Sequence, residues 1–342
     1  MMQRIRYLWK HMPGIRGIYN RLAQLEEQYA KLQKEKEWLD FRIDDVYHEL
    51  FLNRKEGFAR YARLLPQEAY PDALCAWYFA ETGKKLDLEH PAAFNEKLQW
   101  IKLYGLEKQC TQLSDKYAVR TYIEKMLGGG YLVPLLGVWD SFDEIDFDKL
   151  PEQFVLKANH GSGMNVVVHS KTAFDRQEAR KRFFRWMDTD YAFYQGFELQ
   201  YKGIPRKILA VGYLGGKENR LEEYEVHCFN GSPEYIHYIT DRYGTAKKAV
   251  FDVHWERMPF TTGHFTQAGH VRKPRQLEKI VEMSRILSKD FLFVRVDWFV
   301  PGDGSIRFAE MTFTPASGLV LWDPPEYDRI VGQKLRLPVD PC

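Results

Sequence analysis

The stretch FVRVDWFVPGDGSIRFAEMTF, residues 293–313, decides how the rest of the chain is read. Its alternating run ends at Val300, a Pro-Gly-Asp-Gly turn follows, and a second run begins at Ile306, which is the pattern of a β-hairpin. Strand side chains alternate between faces, so Arg295 and Asp297 point one way, while Glu310 and Thr312 share a face on the neighbouring strand. One surface can therefore hold two carboxylates, a hydroxyl and a guanidinium. Hard oxygen donors near a cation suit Mg²⁺ bound with nucleotide phosphates. A surface hairpin with a salt bridge between Arg295 and one acid carries the same pattern, so the hairpin alone leaves both readings open.

Upstream, FVLKANHGSGMNVVV (154–168) runs from a strand ending in Lys157 through His160-Gly161-Ser162-Gly163 into a second strand. It is not a Walker A loop, because no Lys-Ser/Thr follows at the required spacing and strand rather than helix comes next. The functional reading is a glycine hairpin folding over phosphates with Lys157 as a fixed charge, and the bland one is a plain hairpin. Ser114-Asp115-Lys116 is expected to open a helix from Tyr117 to Met126, with Ser114 as its N-cap. Further strands are expected in YLVPLLGVW, KILAVGYL, EYEVHCFNG and PEYIHYIT, and short packed helices between Gly57 and Leu106. The fold class is α+β, with boundaries at 1–52 for a basic tip and rod, 53–110 for a helical lead-in and 111–337 for the catalytic domain.

The 342 residues carry 49 Lys plus Arg against 47 Asp plus Glu, a balance that excludes a polybasic nucleic-acid binder. Hydrophobic residues at 45% are enough for a sizeable core. The cysteines, Cys75, Cys110, Cys228 and Cys342, lie far apart with no CxxC pair, against a disulfide framework or structural zinc. No apolar run reaches membrane-spanning length, and a cytoplasmic location is expected.

At the N-terminus, Ile18, Leu22, Leu25, Tyr29, Leu32, Lys36, Leu39, Ile43, Val46 and Leu50 alternate steps of four and three, which predicts a coiled-coil helix and self-association, the alternative being an amphipathic helix packed on its own globular domain. Before it lie Arg4, Arg6, Lys10 and Arg16 among Tyr7, Leu8 and Trp9, a composition suited to peripheral contact with an anionic membrane face.

Taken in order, Lys116, Lys157 with HGSG, Glu223, Arg295, Asp297 and Glu310 resemble the ATP-grasp superfamily, most closely its TupA-like branch, associated with bacterial cell-surface polymer synthesis. FNEKLQWIKLYG, LSDKYAVRTYIEK, FVLKANHGSG, EYEVHCFNG and RVDWF…FAEMTFTPASGL look like that branch's blocks, over about Pro91 to Leu337. The resemblance implies an ATP-grasp fold with ATP and Mg²⁺ as cofactors. By it, Lys116 and Lys157 hold the α- and β-phosphates, the loop of His160, Gly161, Ser162 and Gly163 closes over the triphosphate, and Glu223 binds the ribose. Asp297 and Glu310 would coordinate Mg²⁺, and Arg295 would stabilise the phosphoryl group in flight. Two departures stand out: Thr312 occupies a position where ligase-type relatives often have Asn, and Ala210-Val211-Gly212 offers no acid where the strand meets adenine.

The implied activity is an ATP-dependent carboxylate–amine ligase acting on a surface polysaccharide or its precursor, with a uronic acid joined to an amine or amino acid, or glutamate added to a growing peptide branch, as the substrate alternatives. Arg242, Tyr243 and Trp255 are candidates to contact the acceptor, with packing the alternative for the aromatics. The rival readings are a nucleotide-sugar glycosyltransferase, using Asp146-Phe147-Asp148 or Asp188-Thr189-Asp190, and a non-catalytic coiled-coil scaffold. The ligase reading requires Lys157 and Glu310 to face one cavity.

Overall fold

The computed structural model describes residues 21, 24–33, 36, 54–215, 221–240, 246–269 and 271–338. The chain divides into two compact units, Met1–Gly57 and Phe58–Cys342. In the first, residues 24–33 are helical, and the seam positions Leu25, Tyr29 and Leu32 are 56%, 64% and 62% exposed. Most of the predicted coiled-coil seam and the basic tip lie outside the described residues. Among the described residues no helix is long and apolar enough to cross a membrane.

Helices α1 (Arg54–Leu64), α2 (Tyr70–Thr82), α3 (Phe94–Trp100) and α4 (Lys108–Ser114) lead to α5 (Val119–Leu127). Two sheets follow. The smaller has the order β1-β4-β2-β3, built from β1 (Leu135–Trp139), β2 (Phe154–Ala158), β3 (Asn165–Val168) and β4 (Ile208–Gly212). Strict alternation along β2 and β4 divides their residues between two environments. Phe154, Leu156, Ile208 and Ala210 pack with Phe183 of α6 (Arg176–Asp188), whereas Val155, Leu209 and Val211 form a separate apolar face with Val133. A short helix, α7 (Tyr191–Tyr194), lies between α6 and β4.

The larger sheet has the order β11-β10-β5-β6-β7-β9, with β5 (Leu221–Phe229), β6 (Ser232–Thr240), β7 (Lys247–Asp252), β9 (Thr266–Gln267), β10 (Phe293–Pro301) and β11 (Arg307–Thr312). A two-stranded ribbon joins β8 (Thr261–Thr262) to β12 (Trp322–Asp323). One core forms where α8 (Leu277–Ser288) lays Leu277, Ile280, Val281 and Leu287 against Val226, Ile236, Val296 and Trp298. Their spacing is the 3.6-residue period of a one-sided helix. Ser284 is buried on that face because its hydroxyl accepts the Trp298 indole N–H at 2.8 Å. A second core joins Phe94, Leu98 and Ile101 to Phe229, Tyr235, Phe293 and Trp322, with Val331 of α9 (Tyr327–Gly332). Burying side chains of this size contributes roughly 1.5–3 kcal/mol each.

The predicted hairpin is present. Arg295 lies opposite Thr312 and Asp297 opposite Glu310, while Trp298 pairs with Phe308, so Ala309 is the extra residue of a β-bulge. The N-cap expectation at Ser114 is corrected: Ser114 ends α4, and α5 begins only at Val119. Asp115 organises the turn instead, its Oδ1 accepting the Tyr117 N–H at 2.8 Å. A carboxylate outcompetes a neighbouring hydroxyl as acceptor for such an N–H.

Candidate active site

Between the two sheets lies a cavity of about 360 Å³ lined by Lys116, Lys157, Ser162, Gly163, Glu223 and Glu310, with apolar walls from Val133, Val155, Leu209 and Val211. The polar residues among them come from four separate stretches of chain: the turn at Lys116, the hairpin of β2 and β3, β5 and β11. Lys157 and Glu310 therefore do face one cavity. The apolar face of the small sheet forms one wall and Phe299 and Phe308 of the large sheet another, with Lys116, Lys157, Glu223 and Glu310 as the charged lining. A cavity that sets an apolar face beside cations and carboxylates offers both kinds of surface that suit a nucleotide, with its flat base and its phosphates.

Lys116 is positioned by backbone and side chain together. Its N–H donates to Asn159 O at 3.2 Å, its ammonium donates to Gly161 O at 2.6 Å, and the same Nζ lies 3.5 Å from Glu310 Oε2. Asn159, wholly buried, is the residue behind this placement and was not anticipated. Its amide donates to Asp115 Oδ1 and Pro205 O at 2.9 and 2.8 Å, and its Oδ1 accepts the Lys207 N–H at 2.7 Å. The turn carrying Lys116 is thus tied to the end of β2 that carries Lys157.

The glycine loop joins β2 to β3 as an antiparallel hairpin, with Lys157 opposite Asn165. Gly163 has φ +73°, a conformation open to glycine at no steric cost. Ser162 and Gly163 line the cavity, but His160 and Gly161 do not. The His160 ring is buried under the loop with Nε2 3.0 Å from Trp186 O, and burial lowers its pKa, so the neutral ring donates Nε2–H there. A Cβ on Gly161 would come within 2.7 Å of the Tyr191 ring, so that glycine permits close packing beneath the loop. Of the four predicted loop residues, Ser162 and Gly163 therefore reach the cavity, and His160 and Gly161 pack beneath the loop.

Across the large sheet, the Arg295 guanidinium grips Asp297 with two bonds, Nε to Oδ1 at 2.8 Å and Nη2 to Oδ2 at 2.6 Å. Glu225 Oε1 and Glu310 Oε1 lie 3.5 and 3.7 Å from the same guanidinium, and Thr312 Oγ1 accepts from it at 3.4 Å. Burial alone would lower the Arg295 pKa, but Asp297, Glu225 and Glu310 outweigh it and hold the group well above its ordinary value. Burial pushes Asp297 upward, opposed by Arg295; two N–H donors on its two oxygens require the carboxylate form in this geometry. Burial also raises Glu310, yet Lys116, Arg295 and Lys157 prevail and keep it below the usual carboxylate range.

Sequence reasoning missed Glu225, His227 and His237. His237 Nδ1 lies 3.0 Å from Glu225 Oε2 and 3.2 Å from His227 Nε2. Burial, then the Lys248 charge, pushes His237 down to about 4, and burial holds His227 well below its ordinary value. The signal was present in EYEVHCFNG, where Glu223, Glu225 and His227 recur every second residue and so share one strand face. Trp255 is not an acceptor contact: its ring stacks on Phe251 at 4.1 Å within the core. Arg242 and Tyr243 lie outside the described residues. Neither Asp-x-Asp triplet lines the cavity; Asp146 instead caps a turn by accepting the Asp148 N–H.

A family model described as TupA-like ATPgrasp matches residues 96–336, a span that holds every residue of the cavity. The chain belongs to the TupA-like ATP-grasp family. Solved ATP-grasp-like structures resemble it at low identity. An L-amino acid ligase from Bacillus licheniformis has a TM-score of 0.42 at 15% identity, over 74% of this chain and 55% of that one. N5-carboxyaminoimidazole synthase from Aspergillus clavatus, in complex with ADP and 5-aminoimidazole ribonucleotide, scores 0.38 at 13% identity, over 64% of this chain and 50% of that one. N5-carboxyaminoimidazole synthetase from Staphylococcus aureus scores 0.34 at 14% identity, over 59% of this chain and 44% of that one. This ATP-grasp chain spans about half the length of these proteins. No curated protein matches it.

Proposed function

We propose that this ATP-grasp protein is an ATP- and Mg²⁺-dependent carboxylate–amine ligase. The carrying observation is the convergence of Lys116, Lys157, Glu223 and Glu310 on one cavity that also has apolar walls. ATP would supply the phosphoryl group that activates a carboxylate as an acyl phosphate, which an amine then opens to an amide, releasing ADP and phosphate. In this reading Val155, Leu209 and Val211 enclose the base, main-chain groups near Gly212 read adenine in place of an acid, and Glu223 takes the ribose hydroxyls. Lys116 and Lys157 offset phosphate charge, and Ser162 and Gly163 close over it. Asp297, Glu310 and Thr312 offer the hard oxygen donors that Mg²⁺ takes, with Asp297 first having to share its oxygens with a metal instead of Arg295 alone. Such a site needs no protein nucleophile, because phosphoryl transfer depends on position and charge.

The substrates proposed are a uronic acid of a bacterial surface polysaccharide and an amine or amino acid, with the coiled-coil segment self-associating and the basic tip at a membrane face. The exposed Leu25, Tyr29 and Leu32 support the self-association. Incubation with ATP and Mg²⁺ against a UDP-sugar tests the chemistry: ADP release that depends on a carboxylate and an amine supports the ligase, and UDP release replaces it with the glycosyltransferase. Binding of neither nucleotide would leave the scaffold. Deleting the gene and weighing the cell's surface polysaccharide by mass spectrometry would name the substrates.

A further inference from the structure

On the opposite side of the large sheet from the nucleotide cavity lies a second, larger groove of about 630 Å³. The strands β5 and β10 separate the two. Glu223 and Phe299 line the nucleotide cavity, while their chain neighbours Glu222 and Val300 line this groove, as alternation requires. Four cations border it: Lys247 at the start of β7, and Arg272, Lys273 and Arg275 in the segment before α8. All four are exposed. Glu222 is the one carboxylate among the described lining residues, and its Oε2 already accepts the Tyr224 hydroxyl at 2.8 Å.

The basic segment is held in place. The Trp255 indole donates to Val271 O at 3.3 Å on one side, and the Gln276 amide donates to Gly304 O at 2.9 Å on the other. Leu277 N–H closes back on Pro274 O at 3.3 Å, and Pro274 itself fixes one φ between the cations. Three basic side chains within four positions therefore cannot spread apart by moving their backbone. Held close together, their charges sum to a local positive potential on a chain whose net charge is only +2. Gln276 also marks the N-terminal end of α8, whose dipole adds partial positive charge on the same side.

We infer that this groove binds a multiply anionic chain bearing carboxylate or phosphate groups, at a site separate from the nucleotide cavity. The groove is open, and its exposed cations come from two separate segments, an arrangement that several spaced anions satisfy better than one. A ligand here lies across the sheet from the phosphate-binding lysines, so the groove tethers and does not react. Its chemistry is independent of the ligase reading.

The test uses the full chain and two probes, a galacturonate hexamer for carboxylates and tripolyphosphate for phosphates, measured by titration calorimetry at low and high salt. Saturable binding of either probe is expected, weakened by salt and at least about tenfold weaker in the double variant Arg272→Glu/Arg275→Glu. The affinity for an ATP analogue should not change in that variant, which also reports that it folds. Lys273→Glu, a single change at an exposed side chain, is the second variant and should weaken the same probe if the double variant is unstable. Binding of the hexamer alone assigns carboxylates, of tripolyphosphate alone phosphates, and of both a general polyanion site. Failure of both probes to bind, or equal binding to wild type and variants, overturns the proposal.

Discussion

Lys116 Nζ and Glu310 Oε2 lie 3.5 Å apart, one contributed by the turn between α4 and α5 and the other by the last strand of the large sheet. This contact joins the cations that line the cavity to the carboxylate row formed by Glu310, Asp297 and Glu225. The Lys116 charge, with Arg295 and Lys157, outweighs burial and keeps the acid ionised.

Two substitutions in that row should behave differently. Glu310→Gln removes a partly exposed carboxylate, so it should keep the fold while lowering turnover at least ~10²-fold, about 2.7 kcal/mol of transition-state stabilisation. Asp297→Asn instead leaves Arg295 without its two-bonded partner in a buried position, and about 3–5 kcal/mol of stability should go with the activity. Steady-state ADP release and denaturant titration separate the two effects. A well-folded Glu310→Gln protein with unaltered turnover would remove this acid from the reaction.

Lys157→Met should act mainly on nucleotide binding. The side chain lines the cavity, with its ammonium 6.0 Å from the Phe299 ring centre, and methionine conserves its length without its charge. Affinity for ATP should fall roughly 10–100-fold, about 1.4–2.7 kcal/mol, with little change in thermal stability of the nucleotide-free protein. Calorimetric titration giving wild-type affinity would exclude Lys157 from phosphate contact.

Asn159→Ala tests positioning without touching the nucleotide. It strips partners from Asp115 Oδ1, Pro205 O and the Lys207 N–H at once. The expected loss is about 2–4 kcal/mol, since each orphaned buried group retains its desolvation cost. Weaker ATP binding should accompany it, because Lys116 and Lys157 lose their common anchor. Stability within about 0.5 kcal/mol of wild type would show that the anchor is dispensable.

The buried His237 predicts an acid-sensitive fold. Its folded-state pKa is depressed to about 4 against an ordinary 6.5, so as pH falls the unfolded chain takes up its proton first. Stability from this group is complete above pH 6.5 and declines through the window down to about 4, by up to roughly 3 kcal/mol. Glu225, whose pKa is held below the ordinary carboxylate value because Arg295 and His237 outweigh burial, loses its contribution at still lower pH. Denaturant midpoints measured across this range should slope in the wild type and slope less steeply in His237→Gln, with the buried His227 and His160 supplying the remainder. Identical slopes in both proteins would contradict the assignment.

What the amino-acid order determined by itself was periodic and local. Alternation in residues 293–313 placed Arg295 with Asp297 and Glu310 with Thr312 on shared faces, because side-chain direction in a strand follows from backbone geometry alone. The glycine hairpin after Lys157 was legible for the same reason, and its blocks carried the family. Tertiary structure decided which faces meet. The bulge at Ala309, the Asn159 anchor, the retreat of His160 beneath its loop and the pairing of Glu225 with Arg295 all depend on partners distant in sequence. Hydrogen bonds and charge pairs of that kind form only once packing has removed water and brought the segments together, so no local spacing encodes them.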